Sequence, residues 1–292
     1  MWFLGFDEEI TMKIQLNGVS LDDLSKVTTL FLDIDGTLLD RDHNMPKRVR
    51  DSLLCLKKYY TIILCTGRYF EGTLPVHKDL GLNSYMVCLN GGCVYNEKMQ
   101  HVRRVDLSTD AKQKVLDLYR KHPCVLNTYP DFGWYVTHRD NHYSDYEVSI
   151  LHTEPTVIKE DTEIRDLSTT KFLFLGEKPK LDALQEELEK ELSHLTLVRI
   201  KDHYLEIYDK EADKGCGIRF VMDKLGVTKE ECLSMGDAKN DIAMFRETGI
   251  KVEMGNSDPE LREFSNVSTT PNTDCGAAEV FELLLSLKQN CK

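Results

Sequence analysis

The sequence predicts an α/β fold, a Rossmann-like, doubly wound parallel sheet interrupted by an inserted α+β unit. Three observations predict it. Near-continuous apolar runs end in Asp- or Gly-containing turns: TTLFLDIDG at 28–36, TIILCTG at 61–67 and YMVCLNGG at 85–92. Such runs mark strands buried on both faces, as parallel-sheet strands are. Amphipathic helical stretches separate them, giving a β-α-β-α-β rhythm. That rhythm breaks near residue 106 and resumes near 209.

Taken in order, the first strand is Thr28–Ile34, followed by a helix over Lys47–Tyr59. A second strand ends at Gly67, another helix follows, and a third strand ends in the glycines of Asn90-Gly91-Gly92. That turn permits close backbone approach, with or without a substrate contact. The middle of the chain reads differently. A helix is expected over Ser108–His122. Strands Cys124–Tyr129 and Trp134–Thr137 flank the turn Pro130-Asp131-Phe132-Gly133. Trp134 and Tyr135 read as core of this unit rather than pocket lining. His138 and His142 sit in HRDNH, which reads as an exposed loop rather than a metal site. Lys171–Leu175 is a strand and Leu181–Leu192 a charged helix with a solvated face. Leu195–Ile200 and Tyr204–Tyr208 form a second strand pair. The core rhythm then returns. A helix over Lys214–Leu225 is closed by Gly226, a strand covers Glu231–Met235, and a helix over Asp241–Glu247 ends before Gly249. Short strands at Lys251–Met254 and Val267–Thr270 and a helix over Ala277–Lys288 complete the chain. The expected organisation is a core of residues 1–105 and 209–292, with an inserted unit over 106–208. Residues 1–27 form an N-terminal extension, either an added strand or a loose arm.

In open α/β sheets ligands gather at the carboxyl ends of strands. Three such ends carry chemistry: Asp33-Ile34-Asp35-Gly36-Thr37, Thr66-Gly67-Arg68 and Gly236-Asp237-Ala238-Lys239-Asn240-Asp241. Lys214 opens a helix just before the last of these strands. Carboxylates packed together push one another's pKa up unless a cation joins them. A hard divalent ion such as Mg²⁺ suits an all-oxygen set. An aspartate beside that metal stays ionised and can attack phosphorus.

These segments resemble the motifs of the haloacid dehalogenase-like superfamily. FLDIDGTLL is similar to the first motif, LCTGR to the second, the DKG of 213–215 to the third and GDAKNDIAMF to the fourth. The place of the insert, after NGG and before DKG, resembles the Cof-type sugar-phosphate phosphatases. The tail MGNSDPELREFSN is Cof-like too. The resemblance covers the chain beyond about residue 27, with the insert, a cap domain, matched by position and pattern only. It implies Asp33 as nucleophile and Asp35 as general acid and base. It implies a metal held by Asp33, Asp237 and the backbone carbonyl of Asp35. Asp241 would hold metal-bound water or orient Lys214, or else only cap its helix. Thr66, Lys214 and Asn240 would bind the phosphate, with Gly36 and Gly67 in the surrounding turns. Arg68 would bind substrate or pair with a core carboxylate.

Composition narrows the partners. The chain has 292 residues, 41% hydrophobic and 29% charged, with a formal net charge of −12. An acidic surface repels nucleic acid and anionic membranes, so neither is an expected partner. Phosphate binding must then rest on local positive charge. Nine scattered cysteines without a CxxC pair read as free thiols in a reducing cytoplasm. MWFLGFDEEI is too short for a leader or a membrane span. The expectation is a cytoplasmic Mg²⁺-dependent phosphatase of small phosphorylated metabolites, sugar phosphates foremost, working as a monomer or dimer. A phosphomutase of the phosphomannomutase kind would use the same residues, and a non-catalytic binding protein would leave these positions without a role.

Overall fold

The computed structural model describes residues 13–289 except 131, 132, 152, 160 and 161. The stretch MWFLGFDEEI, the Asp131-Phe132 pair of the expected turn and Cys291 lie outside the described residues. In chain order the strands are β1 (Gln15–Leu16), β2 (Thr29–Leu32), β3 (Thr61–Cys65), β4 (Met86–Cys88), β5 (Cys93–Tyr95) and β6 (His101–Arg104). Then come β7 (Val125–Thr128), β8 (Tyr135–Val136), β9 (Thr156–Val157), β10 (Lys171–Leu175), β11 (Leu195–Lys201) and β12 (Tyr204–Asp209). The last are β13 (Cys232–Gly236), β14 (Ile250–Glu253) and β15 (Val267–Ser268).

Two sheets result. The first runs β1-β15-β14-β13-β2-β3-β4-β5-β6. Its centre, from β15 to β4, is parallel, with antiparallel strands added at both edges. The apolar runs pack on both faces, as strands buried on two sides must. Leu30 and Leu32 of β2 and Ile62 and Leu64 of β3 join Leu53 and Phe281 from helices on one face. Phe31 and Ile63 join Ile218, Val221 and Phe245 on the other. The chain therefore belongs to the doubly wound α/β class.

The second sheet runs β11-β12-β10-β7-β8-β9. Alternation along its strands separates two faces. Phe172, Phe174, Leu205 and Ile207 pack under helices Thr109–Tyr119 and Lys178–Glu191. On the opposite face Leu173, Leu175 and Tyr204 share a cluster with Tyr69, Met86, Cys88 and Trp134. That cluster joins the two sheets. Trp134 is a buried core residue, its Nε1 donating to Asn127 Oδ1 at 2.8 Å.

Several elements differ from the sequence expectation. The hairpin β5–β6 extends the first sheet past the glycines. Its turn is organised by Asn96, whose Oδ1 accepts from the N–H groups of Lys98 and Gln100, a local side-chain turn that hydrophobic patterning does not register. Helix His142–Leu151 replaces part of the expected loop, so His142 opens a helix, with both His138 and His142 exposed. Its buried residues include Ser144 and Glu147, so apolar patterning does not mark the face it buries. Residues 13–27, part of the expected extension, are built into the sheet domain. β1 pairs with β15, and Ser20 and Asp23 form a capping box on helix Leu21–Lys26, whose Leu24 is buried in the core. No helix among the described residues is long and apolar enough to cross a membrane.

The turn after β4 fixes how closely the elements meet. Gly91 has φ 93, and a Cβ there would lie 1.9 Å from Asp213 O, at the start of helix Lys214–Leu225. Gly91→Ala should therefore cost more than about 2 kcal/mol through strain and steric overlap. Ser20→Ala, which only removes a helix cap, should cost about 1 kcal/mol. Urea unfolding of both variants checks the order; an equal loss would contradict the close approach at Gly91.

Candidate active site

Strand order reverses at β2, which lies between β3 and β13, and the three carboxyl ends converge there. Asp33 follows β2 directly, its N–H donating to Met235 O at 3.0 Å. Lys214 is the first residue of its helix because Asp213 caps it, Asp213 Oδ1 accepting from Cys216 N at 2.6 Å. The Lys214 ammonium is fully enclosed. It donates to Asp33 Oδ1 at 2.6 Å and to Asp241 Oδ1 at 2.5 Å. The other Asp241 oxygen accepts from Asp237 N at 3.0 Å and Ala238 N at 2.9 Å. Asp241 thus folds its own loop and anchors Lys214, which goes beyond capping a helix.

Asp237 faces the same space. Thr37 Oγ1 donates to its Oδ1 at 3.1 Å. Gly36 is the residue that admits it: at φ 80, a Cβ would sit 2.2 Å from Asp237 Oδ2. Carboxylate oxygens of Asp33, Asp237 and Asp241 lie within 4.8 Å of one another. Lys214 reaches two of these three carboxylates, and the charge excess shows in the titration of Asp33 and Asp237. Burial, with the charges of Asp241 and Asp237 added, pushes Asp33 well above the usual carboxylate range despite Lys214. Burial and the Asp241 charge push Asp237 up to about 7. Burial alone would lower Lys214, but Asp241 and Asp33 outweigh it and raise it. A compact oxygen set with excess negative charge fits a hard divalent cation, Mg²⁺ included.

Asp35 is held differently. Arg68 grips it with two bonds, Nε to Oδ2 at 2.7 Å and Nη2 to Oδ1 at 2.6 Å, and His43 Nδ1 lies 3.2 Å from Oδ1. Burial would raise this carboxyl; the bonds from His43 and Arg68 outweigh it and hold it far below the usual range. Of the two readings of Arg68, the ion pair with a carboxylate is the one realised in this structure. The Asp35 carboxylate accordingly stands apart from the acidic trio.

The remaining predicted residues line one cavity of about 820 Å³: Gly36, Thr66, Gly67, Arg68 and Asn240 with Asp33, Asp35 and Asp237. Lys214 and Asp241 lie behind its wall, fully buried. The opposite wall comes from the second sheet, with Tyr129, Lys171, Tyr204 and Glu206, and from helix His142–Leu151, with Glu147. Glu147 accepts a hydrogen bond from Tyr204 Oη. None of these wall residues was singled out from the sequence, nor were His43 and Asn256, whose Nδ2 donates to Gly36 O at 2.9 Å. The only available signal was period-two polar residues, Lys171 in KFLFL and Glu206 in YLEIYD, inside otherwise apolar strands.

A sequence model of the haloacid dehalogenase-like hydrolases matches residues 30–281. A Bacillus subtilis protein described as a phosphatase, YxeH, is 29% identical over 263 residues, 87% of this chain and 97% of that one. The HMP-PP phosphatase of Serratia proteamaculans is 27% identical over 242 residues, covering 79% of this chain and 84% of that one. Among solved structures, a haloacid dehalogenase-like hydrolase from Bacteroides thetaiotaomicron superposes with a TM-score of 0.81 at 22% identity, covering 88% of this chain and 98% of that chain. This last likeness shows the shared fold.

The crowding of acids has a pH consequence. Asp237 titrates above its unfolded value, so between about pH 4 and 7 the folded state binds more protons than the unfolded one. In metal-free buffer this site's contribution to stability therefore falls as pH rises through that window. Asp237→Asn removes the penalty and should stabilise the metal-free chain at pH 8 by more than at pH 5. Urea unfolding in chelator at both pH values tests this, and a larger gain at pH 5 would contradict it.

Proposed function

Because the chain belongs to the haloacid dehalogenase-like hydrolases, in their Cof-type branch, and is a phosphatase, we propose that it hydrolyses phosphate monoesters of small metabolites through an aspartyl-phosphate on Asp33. The observation that carries this reading is the acidic trio of Asp33, Asp237 and Asp241 around a fully buried Lys214 at the strand ends.

Burial and crowding raise Asp33 despite Lys214, so its carboxylate would be a ready nucleophile once a divalent cation offset that crowding. In the first half-reaction an Asp33 oxygen bonds to phosphorus and the bond from phosphorus to the substrate oxygen breaks. Asp35 gives a proton to that departing alkoxide. In the second, Asp35 takes a proton from water, whose oxygen attacks phosphorus and releases inorganic phosphate and the Asp33 carboxylate. Arg68 and His43 favour the charged form of Asp35, which suits the base step. The acid step requires Asp35 to take up a proton once those bonds loosen. Thr66, Lys214 and Asn240, with the turns at Gly36 and Gly67, would hold the phosphoryl oxygens.

Asp33, Asp237 and the backbone carbonyl of Asp35 would hold Mg²⁺, with Asp241 behind through water or through Lys214. The ion would neutralise charge on the transferring phosphoryl group. Residues 106–208 act in this reading as a cap domain whose wall closes the cavity over a small molecule and excludes bulk water. Sugar phosphates remain the favoured class, and the name HMP-PP phosphatase carried by relatives adds that compound to the candidates. Nucleic acid, membranes and large phosphoproteins are not its partners, and a cytoplasmic monomer or dimer fits the reading.

Asp33→Asn should lower phosphate release from a panel of phosphorylated metabolites by at least about 10⁴-fold, a loss typical of removing a nucleophile, while the chain stays folded by circular dichroism. Chelator should stop turnover and added Mg²⁺ restore it. Undiminished release by the variant, or full rates in metal-free buffer, would contradict the reading. Isomer formation from sugar phosphate plus bisphosphate, without phosphate release, would point to a mutase.

A further inference from the structure

Four polar side chains from both sheets form one continuous chain at the seam of the cavity. Lys171 and Glu206 stand on the inner face of the second sheet, only 3% and 4% exposed. Lys171 Nζ donates to Glu206 Oε1 at 2.5 Å and to Gly67 O at 3.1 Å. Asn90 Nδ2 donates to Glu206 Oε2 at 2.9 Å. Asn240 Nδ2 in turn donates to Asn90 Oδ1 at 2.9 Å. The chain thus begins beside the Thr66–Arg68 turn and ends in the loop that carries Asp237 and Asp241.

The direction of these bonds follows from chemistry. An ammonium can only donate and a carboxylate can only accept. Glu206, charged and paired with Lys171, must receive the N–H₂ side of the Asn90 amide. Asn90 then presents its oxygen to Asn240, which must answer with its own N–H₂ side. Asn240 Oδ1 is left buried without a partner among the described residues. A buried acceptor without a partner costs about 1–3 kcal/mol, and turning the Asn240 amide alone would set its oxygen against Asn90 Oδ1. The charge on Glu206 holds the arrangement against that cost. Asn90 has no rotational slack in the backbone either: its φ is 54, and its N–H donates to Thr66 O at 3.0 Å.

We infer that Glu206 is a positioning residue. Through Asn90 it fixes the orientation of the Asn240 amide, so that one N–H is spent on Asn90 and the second is left for the phosphate position, a donor set by a carboxylate on the second sheet. The active arrangement of the loop therefore exists only while the second sheet is seated with Lys171 against Gly67 O. Replacing Glu206 with glutamine keeps its shape but changes its logic. The new amide oxygen turns to the Lys171 ammonium, its N–H₂ turns to Asn90, and both asparagine amides reverse. Asn240 then offers an acceptor where it had offered a donor, and like poles face the phosphoryl oxygens.

The kinetic part of this inference rests on the phosphatase reading; the amide orientation does not. The test measures p-nitrophenyl phosphate hydrolysis with Mg²⁺ and the side-chain amide resonances of Asn240 by ¹⁵N NMR. Glu206→Gln should lower kcat/KM about 10- to 100-fold, the range for misplacing one polar contact in a site, yet less than about 3-fold in an Asn240→Ala background. Asn90→Gly, which suits the left-handed backbone and leaves the Lys171–Glu206 pair whole, should show the same loss and the same non-additivity. It serves if Glu206→Gln does not fold. Asn240 amide resonances should shift in both variants. Losses that multiply fully in the Asn240→Ala background, or unmoved Asn240 resonances, would overturn the relay. If the wild-type chain hydrolyses no monoester, the phosphatase reading fails and the resonances alone decide the relay.

Discussion

The structure turns on an electrostatic conflict. Carboxylates of Asp33, Asp237 and Asp241 crowd the reversal point of a parallel sheet, where one ammonium among the described residues, Lys214, reaches two of them. Burial makes the conflict severe, because little water is there to screen it. The rest of the sheet domain can be read as what brings these groups so close. β2, between β3 and β13, supplies Asp33; the cap by Asp213 places Lys214 at a helix start; the absence of a side chain at Gly36 lets Asp237 sit against the backbone of the first loop. A divalent cation would resolve the conflict, and the same charge would draw a phosphoryl group to the site.

Arg68 and Asp35 show a second balance. A bidentate guanidinium on a half-enclosed carboxylate is a strong pair, and it keeps Asp35 ionised while no substrate competes for the guanidinium. The same arginine lines the cavity. A phosphoryl group entering there offers it another anion, which would loosen its hold on Asp35 at the moment a proton is needed. Under the proposed function the ion pair and substrate binding by Arg68 would be two stages of one role.

Much of this was legible in the sequence, for physical reasons. Strands buried on both faces leave near-continuous apolar runs, so β2 and β3 stood out, and their carboxyl-terminal residues carry the acidic and hydroxyl groups. Residues one to four positions from a strand end are local information. What stayed hidden depends on contacts far apart in the chain. Glu206 meets Asn90 across 116 positions and Lys171 meets Gly67 across 104; no local pattern records either. The β5–β6 hairpin was missed because its turn is built by the Asn96 side chain, and helix His142–Leu151 because the face it buries carries the polar Ser144 and Glu147. The part of the N-terminal extension that joins β15 was ambiguous for the plain reason that two-residue strands leave too little pattern to read.

If the acidic residues share one divalent cation, anomalous scattering from crystals grown with Mn²⁺ should locate it. A single strong peak should lie in contact with carboxylate oxygens of Asp33 and Asp237. No peak there, or a strong peak only elsewhere on the molecule, would contradict it.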